Sequence, residues 1–254
     1  FLKPDRIVIG TDTESAKERI DTLLKNISSP RLFMNIASAE MSKHALNAFL
    51  ATSLSFIYNI SDMCEAVGAD VTDVSRALRS YKRIGEGAYL DSSIGFSGGT
   101  LMRDLKTLAI MDDLPVIQGV IRTNEERRKK IISRIEKLLG MPFGKAKIGI
   151  MGVTYKPGTQ TLRRSLAIEL LQVLRARGAE VAASDPEASM DEFLKETGIP
   201  LTRDPYRMAE GCHGILLVTA WPHFKTLLPE RLKEVMNPPY LFFDARNVFK
   251  DKEQ

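Results

Sequence analysis

Apolar residues recur along this chain with two periods, and the changes of period divide it into three blocks. In residues 1–36 the periods are mixed. Residues 6–10 form a short β-rich run, residues 13–26 put Ala16, Ile20, Leu23 and Leu24 on one helical stripe, and residues 32–34 suit a second strand. This is too little for a domain and reads as the end of an α/β unit. Residues 37–140 carry mainly helical spacing. Ser38 suits an N-cap with Glu40 in the first turn. A long, largely apolar helix then runs to Val67, and Gly68 follows as its C-cap. Residues 70–78 read as a capped short helix, and residues 85–99 as a Gly- and Ser-rich loop. Residues 114–139 carry helical spacing, with Val116, Val120, Ile121, Ile131, Ile132, Ile135 and Leu138 as its apolar positions. Glu125, Glu126 and the run Arg127, Arg128, Lys129 and Lys130 are then expected on a solvated face.

From residue 141 the pattern alternates. Residues 141–144 read as a linker. Residues 147–153, 180–184, 214–219 and 240–244 are apolar runs of strand length, and residues 162–177 form a helix closed by Gly178. Strands alternating with helices predict a parallel, doubly wound sheet, so the fold class is α/β. No solenoid-length repeat is present.

Composition narrows the function classes. The chain has 254 residues, and 36 Lys+Arg against 32 Asp+Glu give a formal net charge of +4. The charge is spread rather than clustered, which gives no footprint for nucleic acid. No segment reaches the roughly 18 uninterrupted apolar residues of a membrane span. Two cysteines, Cys64 and Cys212, exclude a disulfide scaffold and a CxxC-type zinc site. Buried free thiols and a reducing, cytoplasmic compartment are expected.

Ligands of such sheets bind beyond the carboxyl ends of the strands. There the chain offers Lys156 with Thr159, then Asp185, Thr219 and Arg246, and the two cations suit phosphate. Gly149, Gly152 and Gly158 do not fit G-x-G-x-x-G, which favours another nucleotide over NAD in this block. A bare α/β domain with surface cations accounts for the same residues. Upstream, Lys43 and Asn47 share a helix face. The glycines of residues 95–104 bring backbone within reach of a ligand, although an ordinary loop before a helix reads the same way.

Together these segments resemble the UDP-glucose/GDP-mannose dehydrogenase family. The resemblance runs through residues 4–10, 38–52, 83–85, 95–104, 152–163, 219–222 and 244–247. It implies NAD-linked oxidation of a nucleotide sugar at C6, a central helical dimerisation domain over 37–140, and a Rossmann-like sugar-nucleotide-binding domain over 141–254. Residues 1–36 would be a remnant of an NAD domain that this chain lacks. The fragment alone is then expected to be inactive, and NAD to be held by the missing part. By the same resemblance Lys43 and Asn47 hold the reacting oxygen and a water, and Asp104 positions that water or activates the nucleophile. Arg83 reaches into a partner subunit's substrate site in a homodimer. Phe96, Lys156, Arg163 and Arg246 contact the substrate. No metal and no membrane are implied.

The sequence also departs from the family pattern G-F-G-G-S-C-F-P-K-D. Thr100 takes the place of the nucleophilic Cys, and Ser97, Met102 and Arg103 replace Gly, Pro and Lys. Gln160 and Thr161 stand at usually acidic positions, and Arg164 replaces Glu. A Thr hydroxyl is far less acidic than a thiol and needs a dedicated base. A single two-electron oxidation is therefore one expectation, and a non-catalytic paralogue that binds a sugar nucleotide or serves as a dimerisation partner is the alternative. A different hydroxy-acid dehydrogenase would carry a related helical domain but no nucleotide pocket in residues 141–254.

Overall fold

The computed structural model describes residues 3–249 except Gly98. β1 (Ile7–Gly10) and β2 (Arg31–Met34) pair in parallel, with Ile7 opposite Arg31, across α1 (Glu14–Leu23). Thr13 caps α1. The expected apolar stripe of α1 is only partly covered: Ala16 and Ile20 are half-buried, and Leu23 is 79% exposed.

α2 (Ile36–Val67) is 32 residues long, about 48 Å at 1.5 Å per residue. Its N-cap is Asn35, whose side-chain oxygen accepts from Ser38 N–H at 2.7 Å, so the helix begins earlier than the expected Ser38 cap. The reason is tertiary. The first turn lies directly on the end of β1, where a Cβ on Gly10 would stand 2.9 Å from Ala39 Cβ and 3.0 Å from Ile36 Cα. Gly68 closes α2 in the left-handed conformation (φ 74°), and Asp70 caps α3 (Val71–Ser80), both as the sequence implied. α4 (Thr100–Met111) and α5 (Pro115–Leu139) follow.

The last unit is a five-stranded, wholly parallel sheet in the order β5-β4-β3-β6-β7. Its strands are β3 (Lys147–Met151), β4 (Glu180–Ser184), β5 (Leu201–Thr202), β6 (Gly214–Leu217) and β7 (Leu241–Asp244). α6 (Leu166–Ala176) and α7 (Met190–Thr197) share the core of one face, and α8 (Pro205–Ala209) and α9 (Pro229–Val235) that of the other. This is the doubly wound architecture expected. The spacing gave no reading of β5 or α7 to α9, which are short.

Two boundaries are corrected. The helix expected from residue 162 starts at Leu166, capped by Ser165. Leu162 is instead fully buried in the sheet core, and Arg164 has φ 67°, which a helix does not accommodate. Nor are residues 141–144 a free linker: Phe143 is 1% exposed and belongs to that core. α5 serves both units. Val120 packs with Ala51, Leu54 and Leu105 of the helical core, whereas Ile131, Ile132, Ile135 and Leu139 pack with Ile148, Ile150 and Leu171 of the sheet core. Both cysteines are buried and free, and no helix among the described residues is long and apolar enough to cross a membrane.

Candidate functional site

α2 and α4 cross where Asn47 and Asp104 are both buried, and Asn47 Nδ2 donates to the Asp104 carboxylate. Arg103 Nε donates to the same carboxylate at 3.2 Å, and His44 Nδ1 lies 3.7 Å from it. Burial would raise the Asp104 pKa, but the bonds from Asn47 and Arg103 and the nearby charge of Arg103 outweigh it. The carboxyl is held below its ordinary range. Lys43 stands one turn before Asn47, exposed and with no partner among the described residues. Thr100 opens α4 one turn before Asp104, also exposed, and no described group hydrogen-bonds its hydroxyl. Helical spacing put Lys43 and Asn47 on one face, the family resemblance singled out Asp104 and Thr100, and the fold brings Asp104 onto Asn47. The sequence reading missed His44, whose i, i+3 relation to Asn47 put it on the same face.

The loop leading to Thr100 is fixed from α5 by two polar residues that the sequence reading did not single out. Asn124, fully buried, accepts from Phe96 N–H at 2.8 Å and donates to Phe96 C=O at 2.9 Å. A Cβ on Gly95 (φ 126°) would come within 2.9 Å of Asn124 Oδ1, so the clamp requires glycine there. The second residue corrects the expectation of a solvated basic face: Arg127 is only 6% exposed. It donates to Ser93 C=O at 3.1 Å and to the Asp62 carboxylate, and lies 5.6 Å from the Tyr58 ring centre. The Tyr58 hydroxyl, 3.1 Å from Ser93 Oγ, is pushed up to about 12 by burial. The missed signal was periodic, because Val120, Asn124, Arg127, Ile131 and Ile135 repeat at intervals of three and four.

Of the polar groups expected beyond the strand ends, two serve the fold. Asp185 is completely buried and accepts from Val153, Thr154, Glu187 and Ala188 N–H and from Trp221 Nε1. Thr219 Oγ1 donates to Thr154 C=O at 2.7 Å. A Cβ on Gly152 would strike Thr219 at 2.6 Å, so this glycine admits another loop rather than a pyrophosphate. Arg246 lies at the join of the two units. Its Nε donates to Val218 C=O at 2.6 Å, and burial pushes its pKa down although the Tyr58, Tyr89 and Tyr155 hydroxyls act to raise it. Lys156 and Arg163 are exposed on the loop of residues 154–165, which closes through Tyr155 N–H to Thr161 C=O at 3.0 Å. That loop meets the α4 start, since Arg164 lies against Gly99. Phe96 is held buried by the Asn124 clamp, whereas Arg83 is exposed after α3 and pairs with no described residue.

The arrangement offers a fixed carboxylate and an amide beside a helix-opening hydroxyl, with exposed cations on an adjoining loop. The described residues do not fit a dinucleotide site. Gly152 is filled by Thr219, and α1 with its two strands carries no Gly-rich turn. Among the described residues no group of three or more His, Cys, Asp or Glu could hold a metal ion.

Comparison with known proteins fits this geometry. Residues 37–126 match the central domain of the UDP-glucose/GDP-mannose dehydrogenase family, and residues 149–251 match its UDP-binding domain. The whole chain is 34% identical, over 265 residues, to the UDP-glucose 6-dehydrogenase of Rhizobium meliloti, of which it covers 60%. It is likewise 34% identical over 259 residues to UDP-glucose 6-dehydrogenase TuaD of Bacillus subtilis, covering 99% of this chain and 55% of that one. Among solved structures, the UDP-glucose dehydrogenase of Pyrobaculum islandicum superposes on 96% of this chain and 59% of its own with a TM-score of 0.85 at 27% identity. The chain thus spans 55–60% of the length of the curated relatives it matches.

Proposed function

This chain belongs to the UDP-glucose/GDP-mannose dehydrogenase family, and from that premise we propose that it is the dimerising and sugar-nucleotide-binding part of an NAD-dependent nucleotide-sugar dehydrogenase. The observation that carries the reading is the buried Asn47–Asp104 pair beside Thr100, joined through Gly99 and Arg164 to the loop bearing Lys156 and Arg163. Lys43 and Asn47 hold the sugar's reacting oxygen, where a cation and an amide donor favour developing negative charge. Asp104, kept ionised by its donors, orients Asn47. Lys156, Arg163 and Arg246 take the nucleotide end, and Phe96 presents the loop backbone. Bound NAD would supply the hydride acceptor, and none of the described residues is assigned to hold it.

α2 supplies the dimer contact. Leu46, Phe49, Phe56, Met63 and Val67 are 38–72% exposed and recur at coiled-coil intervals on the face turned away from the core. Arg83 belongs to the partner's substrate site in that assembly. A second reading, binding without oxidation, is favoured by the Thr100 hydroxyl, which has no base within hydrogen-bond reach among the described residues.

Calorimetric titration of UDP-glucose into this chain tests the reading. Binding is expected, and Lys156→Ala should weaken it by about 1.5–3 kcal/mol, the size of a charge-assisted phosphate contact. Absence of binding refutes the assignment. The chain alone should reduce no NAD. In the full-length protein, one NADH per sugar is expected with Thr100 in place of a thiol, and none if the chain only binds.

A further inference from the structure

Resting on the sugar-nucleotide reading above, we propose that Arg164 makes this site select a sugar nucleotide that carries a carboxylate at C6 over one that carries an alcohol there. Arg164 adopts φ 67°, a left-handed conformation that side chains other than glycine rarely take. It is held there from both sides. Leu162 is fully buried in the sheet core, and Ser165, 2% exposed, donates its N–H to Leu162 C=O at 3.0 Å while capping α6. Pinned in this way, the residue lays its side chain across the start of α4. A Cβ built on Gly99 would stand 3.2 Å from Arg164 Cδ and 3.8 Å from its Cβ, and the next residue is Thr100.

The Arg164 guanidinium is available. It has no hydrogen bond or ion pair among the described residues, whereas Arg128 pairs with Glu169 and Arg177 with Glu136. The carboxylate one turn from Thr100, Asp104, is already bonded to Asn47 and Arg103. The two acids nearest Arg164 along α4 and α6 are therefore both engaged. A guanidinium is a planar fork that matches a carboxylate with two parallel N–H bonds and gains far less from a neutral hydroxyl. At the same place Thr100 offers a hydroxyl with no base and no thiol. The end of the site expected to meet C6 therefore holds a cation placed for an anion and lacks the nucleophile for a second oxidation.

The anion could instead be the diphosphate, and three ligands separate the two sources. The test is titration calorimetry of this chain with UDP, UDP-glucose and UDP-glucuronate at one ionic strength. It is run on the wild type, Arg164→Gln and Arg164→Glu, with thermal melts to verify folding. The wild type should bind UDP-glucuronate about tenfold more tightly than UDP-glucose. The ratio should fall to about one in Arg164→Gln and invert in Arg164→Glu, while UDP affinity stays constant. Equal affinity for the two sugar nucleotides in the wild type, or a ratio that survives both substitutions, overturns the proposal. So does loss of UDP affinity in Arg164→Gln, which would make Arg164 a phosphate contact. Failure of all three ligands to bind the wild type refutes the sugar-nucleotide reading itself, an outcome distinct from equal binding.

Discussion

The sheet unit and the helical unit treat their side chains in opposite ways. In the sheet unit β6 is buried along its whole length, and two polar residues at the strand ends, Asp185 and Thr219, are bonded inward. In the helical unit α2 buries one face against α4 and α5 and leaves Phe49, Phe56 and Met63 in solvent, while the buried polar groups Asn47, Asp104 and Arg127 lie beside the candidate site. The difference teaches that the sheet unit spends the polar residues at its strand ends on its own fold, whereas the helical unit leaves an apolar helix face uncovered.

Four experiments probe that contrast. The largest effect is expected from Asp185→Ala. It strands several buried donors, each worth about 1–3 kcal/mol, so urea denaturation should show a loss of more than about 3 kcal/mol. A smaller loss would mean that these loop donors find other partners when the carboxylate is removed. Next is Arg127→Ala, which removes a buried charge from between α2, α5 and the loop before Thr100. A loss of about 3 kcal/mol is expected, with the loop amides near Phe96 exchanging faster in hydrogen-exchange measurements.

Phe56→Glu acts on the uncovered face. It should convert a dimer of 28.4 kDa chains into monomer in light scattering, with the loss of about 2 kcal/mol of apolar burial per chain and no change in the thermal melt of the isolated subunit. A wild-type chain that is already monomeric would remove α2 as the interface. The smallest effect concerns acid. Because the folded Asp104 carboxyl is held below its ordinary range, its contribution is present above the unfolded value and is lost as pH falls through the folded one. Wild type and Asp104→Asn should therefore differ in denaturation midpoint near neutrality and converge below the carboxylate range. A gap that persists in acid would contradict the assignment.

Much of the architecture was legible because it is written locally. Gly68 and Asp70 mark helix ends by their own conformational and hydrogen-bonding preferences, and the runs at β3, β4, β6 and β7 are apolar enough to stand out. What escaped was set by contacts distant in sequence. The start of α2 is fixed by its packing on Gly10, and Leu162 is drawn out of a helix by the sheet core. Asn47 and Asp104 were legible as candidate residues, but 57 positions separate them, and their bond exists only once the helices cross. Arg127 hid inside a charged run, because residue type suggested solvent while its place in the repeat pointed inward.

α5 has a consequence for how a ligand would be received. Its 25 residues, about 37 Å of continuous helix, are anchored at one end among the helices and at the other beneath the sheet. A rigid rod embedded in both bodies leaves little room for a hinge between them, so the start of α4 and the loop of residues 154–165 keep their spacing whether or not a guest is present. A guest then meets a preformed surface and forfeits little affinity to a closing motion. In stopped flow its association rate should rise linearly with ligand concentration, without the plateau that a slow rearrangement imposes.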